Sequence, residues 1–494
     1  MSIKKFYSVS DTTITNAYKG DLSTRAINSN MGLSDSLEVF FIFGQSPDEN
    51  AVLAQKLEES RIVIKFNIDD IRQSYNSQFP SDTKFIFKLS NAEHPYTLAR
   101  NYKIKVYSLT SSFSEGNGLD MESYLDEGVA SWVNRENNSP WQTPGALDLD
   151  VNGDIVNSFL GEQNFDTGEE NLEIDITNYV KGYFDDLALV HNGFAVVIDG
   201  DLTSGASEQN YYTKKFFSRS SQYFFKRPVI ESRSSKKLSD DRGKFYIKSS
   251  VLSQEENTQR IYLYNLINGE LRDFTFAAGQ ELYVKLYTDS EKSTLTVLDP
   301  ASDFVEATRE SLGVYYVDLV VEDPGVDKVY EEWFVAADGT AAPENKTIVH
   351  DGEISLKKFK ATSQNTAIEY VSNIVNLKNS YTGSEVAKFR VYTRPKDWSP
   401  TIYTVASKKS EPLIVQKMYY KIVRLVDDED VIPYGIGSTE NNNEHTLLSY
   451  DASGSYFDFD MSLLEKGYMY GIKLLYSVNN EIREQNDIFK FRID

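Results

Sequence analysis

Apolar and polar residues alternate over much of the chain. Arg61-Ile-Val-Ile-Lys-Phe-Asn-Ile68 puts Ile62, Ile64, Phe66 and Ile68 on one face, and Lys84-Phe-Ile-Phe-Lys-Leu89 and Tyr102-Lys-Ile-Lys-Val-Tyr107 follow the same rule. A period of two, carried by β-branched and aromatic residues, predicts half-buried antiparallel strands. The pattern recurs at Gly193-Phe-Ala-Val-Val-Ile198, Arg260-Ile-Tyr-Leu-Tyr264, Leu282-Tyr-Val-Lys-Leu-Tyr287, Val314-Tyr-Tyr-Val-Asp-Leu-Val-Val321, Lys388-Phe-Arg-Val-Tyr392, Met418-Tyr-Tyr-Lys-Ile-Val-Arg-Leu425 and Tyr470-Gly-Ile-Lys-Leu-Leu-Tyr476. Helical periodicity is confined to short stretches at 49–60, 176–185 and 461–466. Many short strands separated by turn residues predict an all-β chain of sandwiches.

Two stretches break the alternation. Residues 232–243 are polar, rich in small residues and aperiodic, and read as a linker. Residues 337–345, with Gly, Ala and Pro, read as a second boundary. The expected domains are 1–235, 240–340 and 345–494, in keeping with 494 residues at roughly 150 per domain. Leu464-Glu-Lys-Gly467-Tyr-Met-Tyr470 and Glu310-Ser-Leu312-Gly313-Val-Tyr315 each set a Leu–Gly–Tyr turn before a strand. That turn resembles the tyrosine corner of immunoglobulin-like sandwiches. The second and third domains are therefore expected to be Ig-like β-sandwiches.

Composition narrows the function. Lys and Arg number 51 against 74 Asp and Glu, a formal net charge of −23. Such an acid excess disfavours nucleic acid and anionic membrane as partners, since both are bound through Lys and Arg. The chain has no cysteine, so disulfides, Cys-ligated zinc and thiol nucleophiles are excluded. The first residues, MSIKKFYSVSDTTITNAY, lack the apolar run of roughly 7–15 residues that a secretory signal carries. No stretch reaches the ~18 apolar residues of a spanning helix. Folding in the cytosol is the expectation.

Catalytic signatures are missing from the sequence. It holds no G-x-S-x-G elbow, P-loop or G-x-G-x-x-G. Its histidines, His94, His191, His350 and His445, are not spaced as metal or catalytic pairs. Carboxylate pairs such as Asp185-Asp186 and the run at 427–430 are ordinary in so acidic a chain and mark no glycosidase dyad. One candidate metal site stands out. Asp148, Asp150, Asn152 and Asp154, with Gly153, have the alternate oxygen spacing of a calcium loop. Phe159 occupies the twelfth position, where such a loop places a bidentate Glu, and Val156 occupies the ninth. No other cofactor is expected. Tyrosine clusters at 209–212 and 222–226 are candidate subunit contacts, because Tyr offers an apolar body with a polar tip.

The first 235 residues carry an ordered set of short segments. These are Tyr7-Ser-Val-Ser-Asp11-Thr-Thr-Ile14, Asn30-Met-Gly32-Leu-Ser-Asp-Ser-Leu37-Glu-Val39, Arg61-Ile-Val-Ile-Lys-Phe66, Ala130-Ser-Trp132-Val-Asn134, Trp141-Gln-Thr-Pro-Gly145, Glu173-Ile-Asp175-Ile-Thr177, Asn192-Gly193-Phe194, Phe217-Ser-Arg-Ser220 and Arg227-Pro228. The order resembles the DNRLRE-type β-sandwich, a jelly-roll-like module related to carbohydrate-binding modules. The resemblance implies that most of these residues encode the fold, with Thr177 capping a short helix. It also implies that Trp132 or Trp141 contacts a glycan or a partner if its ring is exposed. The opening segments through Phe40 are also similar to virion proteins of tailed bacteriophages, in which such a domain precedes Ig-like ones. That likeness implies a non-enzymatic structural component of the neck, collar or tail. It would bind other virion proteins and copies of itself, with neither nucleic acid nor membrane as a partner. The alternative is a host-surface glycan-binding protein.

Overall fold

The computed structural model describes residues 2–43, 57–75, 79–93, 99–199, 211–235, 237–358, 369–396, 413–439, 441–478 and 481–494. The chain forms two compact units. Met1–Lys236 with Gly435–Thr446 and Leu463–Glu465 make the first, and Lys237–Tyr434, Leu447–Ser462 and Lys466–Asp494 make the second.

The first unit contains β1 (Ile3–Tyr7), β2 (Ser10–Thr15), β3 (Ser36–Phe43), β4 (Leu57–Lys65), β5 (Lys84–Leu89), β6 (Tyr102–Ser108), β7 (Asn134–Glu136), β8 (Ser139–Pro140), β9 (Phe159–Phe165), β10 (Leu172–Asp175), β11 (Phe194–Ile198), β12 (Tyr211–Phe217) and β13 (Val229–Arg233). One sheet runs β1-β13-β5-β10 and the other β12-β3-β4-β11-β6-β9, with β2 also on β4. Setting β2, β3 and β12 aside and leaving out the small β7–β8 hairpin, eight strands remain. Counted along the chain they lie in the orders 1-8-3-6 and 2-7-4-5, which is the jelly roll. Between the sheets, alternate residues meet in one core, including Ile62 and Ile64 of β4, Phe85 and Phe87 of β5, Ile104 of β6 and Phe194 of β11.

The intervening residues of the larger sheet face outward, yet they are not left to solvent. Val63 of β4 and Ala195 of β11 pack with Ile14 of β2 beneath the long β6–β9 connection. That connection supplies Leu109, Phe113, Ala130, Trp132, Trp141, Ala146 and Leu147, forming a second core. This explains why β4 and β11 read as nearly continuous apolar runs, as strands buried on both faces do.

Two helices flank the sandwich. The period-two run was expected to extend to Ile68, but the chain turns into α1 (Ile68–Ser74) there. Asn67 caps that helix by accepting from Asp69 N, and Ile68 and Ile71 are buried. The second, α2 (Thr177–Asp185), matches the expected stretch and buries Val180 and Tyr183. Thr177 does not cap it. Its hydroxyl accepts from Phe85 N at 2.9 Å and so ties the helix start to β5. The helix expected at 49–60 is replaced at its end by β4, and 44–56 lie outside the described residues. At 461–466 there is only a single 3-10 turn, Met461–Leu463.

The second unit holds two sandwiches. The first contains β14 (Gln259–Tyr264), β15 (Leu266–Ile267), β16 (Glu270–Leu271), β17 (Glu281–Tyr287), β18 (Val305–Glu306), β19 (Thr308–Ser311), β20 (Val314–Leu319), β21 (Lys328–Ala336) and β22 (Thr347–Ser355). Its sheets run β14-β20-β19 and β18-β17-β21-β22, around a core that includes Trp333, Ile261, Val317 and Leu282. The second contains β23 (Tyr370–Ile374), β24 (Ser380–Tyr381), β25 (Val386–Pro395), β26 (Met418–Arg424), β27 (Glu429–Ile432), β28 (Ser449–Asp451), β29 (Gly454–Asp460), β30 (Met469–Val478), β31 (Glu481–Glu484) and β32 (Phe489–Ile493). Its sheets run β23-β25-β29-β28 and β24-β32-β30-β26-β27, with β24 parallel to β32. These are the strand orders of immunoglobulin-like sandwiches. The chain is thus all-β, a jelly-roll sandwich followed by two Ig-like ones.

Both expected boundaries prove to be structured. Residues 337–345 form the turn of the β21–β22 hairpin, whose strands pair from Lys328↔Ser355 to Val335↔Thr347. The divide expected at 340–345 therefore falls inside one sheet. In the stretch 232–243, Ser232, Arg233, Ser234, Asp240 and Asp241 are buried, because their polar groups are paired. The compact units part within it, at Lys236 and Lys237.

Candidate functional site

Trp132 and Trp141 lie in the second core, 9% and 4% exposed. Trp141 Nε1 donates to Ser131 O at 2.9 Å. The Arg61 guanidinium lies over the Trp132 ring, 4.9 Å from its centroid, and Arg61 Nη1 donates to Gly145 O at 2.8 Å. Gly145 has φ +92°, and a Cβ there would meet the Trp132 ring at 2.9 Å. Neither indole presents a face to a sugar or a partner. The expected contact role of Trp132 and Trp141 is corrected: their apolar area seals the β6–β9 connection onto the sheet.

The other residues of the resemblance pin the same region. Buried Asn30 uses its whole side chain. Nδ2 donates to Glu115 O and Ala130 O at 2.7 and 2.8 Å, and Oδ1 accepts from Gly32 N and Gly118 N at 3.0 and 2.9 Å. Asp11 and Arg219, from opposite ends of the domain sequence, come together. Asp11 Oδ2 accepts from Arg219 N at 2.8 Å and from Ser8 Oγ at 3.3 Å. The Arg219 guanidinium forks onto both carboxylate oxygens of Glu115, whose Oε1 also accepts from Asp11 N at 2.7 Å. Burial, aided by the Glu115 charge, pushes the Asp11 carboxyl up to about 7 against the bond from Arg219 N. Its Oδ1 is buried without a hydrogen-bond partner.

The first two carboxylates of the expected calcium loop are engaged by its own chain. The Asp148 side chain is buried and accepts from Thr110 Oγ1. Asp150 Oδ1 accepts from Asn152 N at 2.8 Å and Asp154 N at 2.9 Å, and these bonds hold its carboxyl below the usual range. This is an Asx-type turn around Gly153, at φ +87°. Among the described residues no group of three or more His, Asp or Glu is arranged to hold a metal.

What these loops do expose is apolar. Val151 is fully exposed, with Leu149, Ile155 and Val156 beside it in sequence, all exposed. The loop after α2 exposes Leu187, Leu189 and Val190, with Leu187 at 72%. Thr110 touches both loops, through the Asp148 side chain and through its carbonyl, which accepts from Asn192 Nδ2 at 2.8 Å. Exposed Asp150, Asp154, Asp185 and Asp186 border these residues. Sequence periodicity gives no signal for them, because single apolar residues in loops have no period.

Two of the described histidines, His191 and His445, are buried, and His350 is exposed. His191 is buried, and its Nε2 accepts from Phe66 N at 3.4 Å while Nδ1 meets Tyr179 Oη at 2.9 Å. Burial, with the Lys65 charge, pushes it down to about 3. His445 is also buried and held down, to about 4. His350 is 3.7 Å from Glu331. His94 lies outside the described residues, as do 209 and 210 of the first tyrosine cluster. Tyr211 and Tyr223 are exposed. The expected corner at Tyr315 falls within β20. Its hydroxyl accepts from Phe274 N at 3.1 Å, far along the chain, whereas Tyr381 Oη accepts from Lys378 N only three residues earlier.

No protein-family model matches the chain, and no curated protein does. Among solved structures it is similar to the N-terminal Ig1-2 module of the Drosophila receptor protein tyrosine phosphatase DLAR, at 6% identity over 52% of this chain and 96% of that one, with a TM-score of 0.14. A chimeric titin Z1Z2 tandem gives 8% identity over 52% and 97%, with a TM-score of 0.15. Trypsin-activated alpha-2-macroglobulin from Escherichia coli gives 9% over 99% and 30%, with a TM-score of 0.16. At such TM-scores these likenesses bear no weight, and the immunoglobulin-like order rests on the strand pairing alone.

Proposed function

We propose that this chain is a non-enzymatic structural component of a tailed-phage virion, placed in the neck, collar or tail and working through protein–protein contacts. The observation behind this reading is the acid-rimmed apolar surface of the 149–156 and 187–190 loops, set on a sandwich whose motif residues are bound internally. Apolar loop tips bind a partner by burial, and the acidic rim selects a less acidic neighbour. With a net charge of −23, the chain stays soluble before assembly. Several copies per particle follow from the symmetry of such structures. The glycan-binding alternative loses its residues, since both candidate indoles are buried.

Mass spectrometry of purified particles of the encoding phage, followed by cryo-EM, tests this. The chain is expected in the particle at fixed copy number, with Val151 and Leu187 at an interface. Absence from the particle overturns the proposal.

A further inference from the structure

Lys214, on β12, is fully buried at 0% exposure. Lysines are almost never buried so completely unless paired with a charge. Among the described residues, the two atoms that Nζ meets are neutral oxygens, Asn91 Oδ1 at 2.6 Å and Gly168 O at 2.7 Å. The rings of Phe165 and Phe216 flank it at 5.3 and 5.4 Å from their centroids. The Asn91 segment is held by backbone. Asn91 bridges Phe216, Ala92 N donates to Lys215 O at 3.1 Å, and Phe217 N donates to Ser90 O at 3.1 Å. Burial lowers the Lys214 amine to about 8, so about a tenth is neutral at pH 7. The charges of Glu170 and Glu169 act in the opposite direction and only partly offset burial.

We propose that Lys214 and Asn91 are joined by an intramolecular amide bond, formed spontaneously with loss of ammonia. A bare ammonium sheltered by two rings is the simpler state. Three features carry the chemistry further: an amine whose charged form burial disfavours, an amide carbon next to the oxygen it already touches, and a side chain closed off from solvent. The Lys214 ammonium, disfavoured by burial, gives up a proton to bulk water. The neutral Nζ attacks Asn91 Cγ, forming a C–N bond. A second amine proton passes to Nδ2, the Cγ–Nδ2 bond breaks, and the nitrogen leaves as ammonia. Counting the proton released at the start and taken up by the leaving ammonia, an ammonium and a primary amide become a secondary amide and an ammonium ion. Nothing is oxidised or reduced. The bond would tie the seven-residue strand β12 of one sheet to the residue just beyond Ser90, which follows β5 of the other.

The test is the intact mass of the purified full chain under denaturing conditions, followed by peptide mapping. The expected mass is one ammonia below that of the sequence, with a branched peptide joining Lys214 to Asn91. Lys214→Arg and Asn91→Ala should each restore the full mass expected of the variant sequence. If either variant does not fold, the wild-type map alone decides. The full sequence mass, or loss of ammonia with both peptides linear, overturns the proposal.

Discussion

Arg61 stacks on Trp132, with the guanidinium 4.9 Å from the ring centroid, and locks the β6–β9 connection onto the larger sheet by donating to Gly145 O. Trp132→Ala should destabilise the first unit by about 3–5 kcal/mol, as removal of large buried aromatics does. Arg61→Met keeps an apolar stem but loses the stacking and the hydrogen bond, for a cost of about 1–3 kcal/mol. Urea unfolding monitored by tryptophan fluorescence measures both. Equal, negligible costs would show that the second core is not structural.

Asp11 reports on pH. Its folded value of about 7 lies above its ordinary 3.8, so the folded state keeps a proton that the unfolded chain releases between those values. Stability therefore falls as pH rises from about 4 to 7, by an amount on the order of a few kcal/mol. Asp11→Asn should remove that slope and make the protein more stable than wild type at pH 8. Urea midpoints at pH 5 and pH 8 decide it, and parallel wild-type and variant slopes would refute it.

His191 acts at the acid end. It is neutral when folded, with a value of about 3 against an ordinary 6.5. Its stabilising contribution is complete above about 6.5 and is lost as pH falls toward 3. Its Nε2 accepts from Phe66 N, so Nδ1 bears the proton and donates to Tyr179 Oη. His191→Leu should flatten the acid limb of the stability profile. It should also cost about 1–3 kcal/mol at pH 7, by leaving the Phe66 amide unpaired.

Glu331 holds a buried charge in place. Its oxygens accept from Arg242 Nε and Nη2 at 2.7 Å each and from Trp333 Nε1 at 2.7 Å. Against burial, which pushes it up, the His350 side chain, these bonds and the Arg242 charge hold its carboxyl down to about 2. Glu331→Ala should cost the second unit about 3–5 kcal/mol, because Arg242 is left buried without that partner. In the wild type this contribution fades as pH falls from about 4.5 toward 2. Thermal melts of wild type and variant at pH 7 and pH 3 should converge on acidification.

Calcium should do nothing. The Asp148 and Asp150 carboxylates already accept from Thr110 and from the turn's own amides. The melting temperature is expected to be the same with calcium and with chelator, and a rise with calcium would show that the turn opens to bind it.

The strands were legible in the sequence because alternation is local: residues two apart share a face whatever the rest of the chain does. β5 spans Lys84–Leu89, as its pattern predicts, and the Ig-like sandwiches follow from many such runs. The helix α1 was less legible, since Ile68 continues an apolar alternation and only the Asn67 cap marks the change. The hairpin at 337–345 looks like a linker because tight turns and linkers share the same small and polar residues.

The sequence by itself determined the all-β class, the position of the ten strands that its alternating runs mark, and the acid excess. Tertiary structure decided what each polar or aromatic side chain does. It buried Trp132 and Trp141, spent Asp150 on its own turn, joined Asp11 to Arg219, and set Lys214 against Asn91 across 123 residues of chain. Burial and pairing come from segments far apart in sequence, and no local pattern records which distant segment will cover a residue.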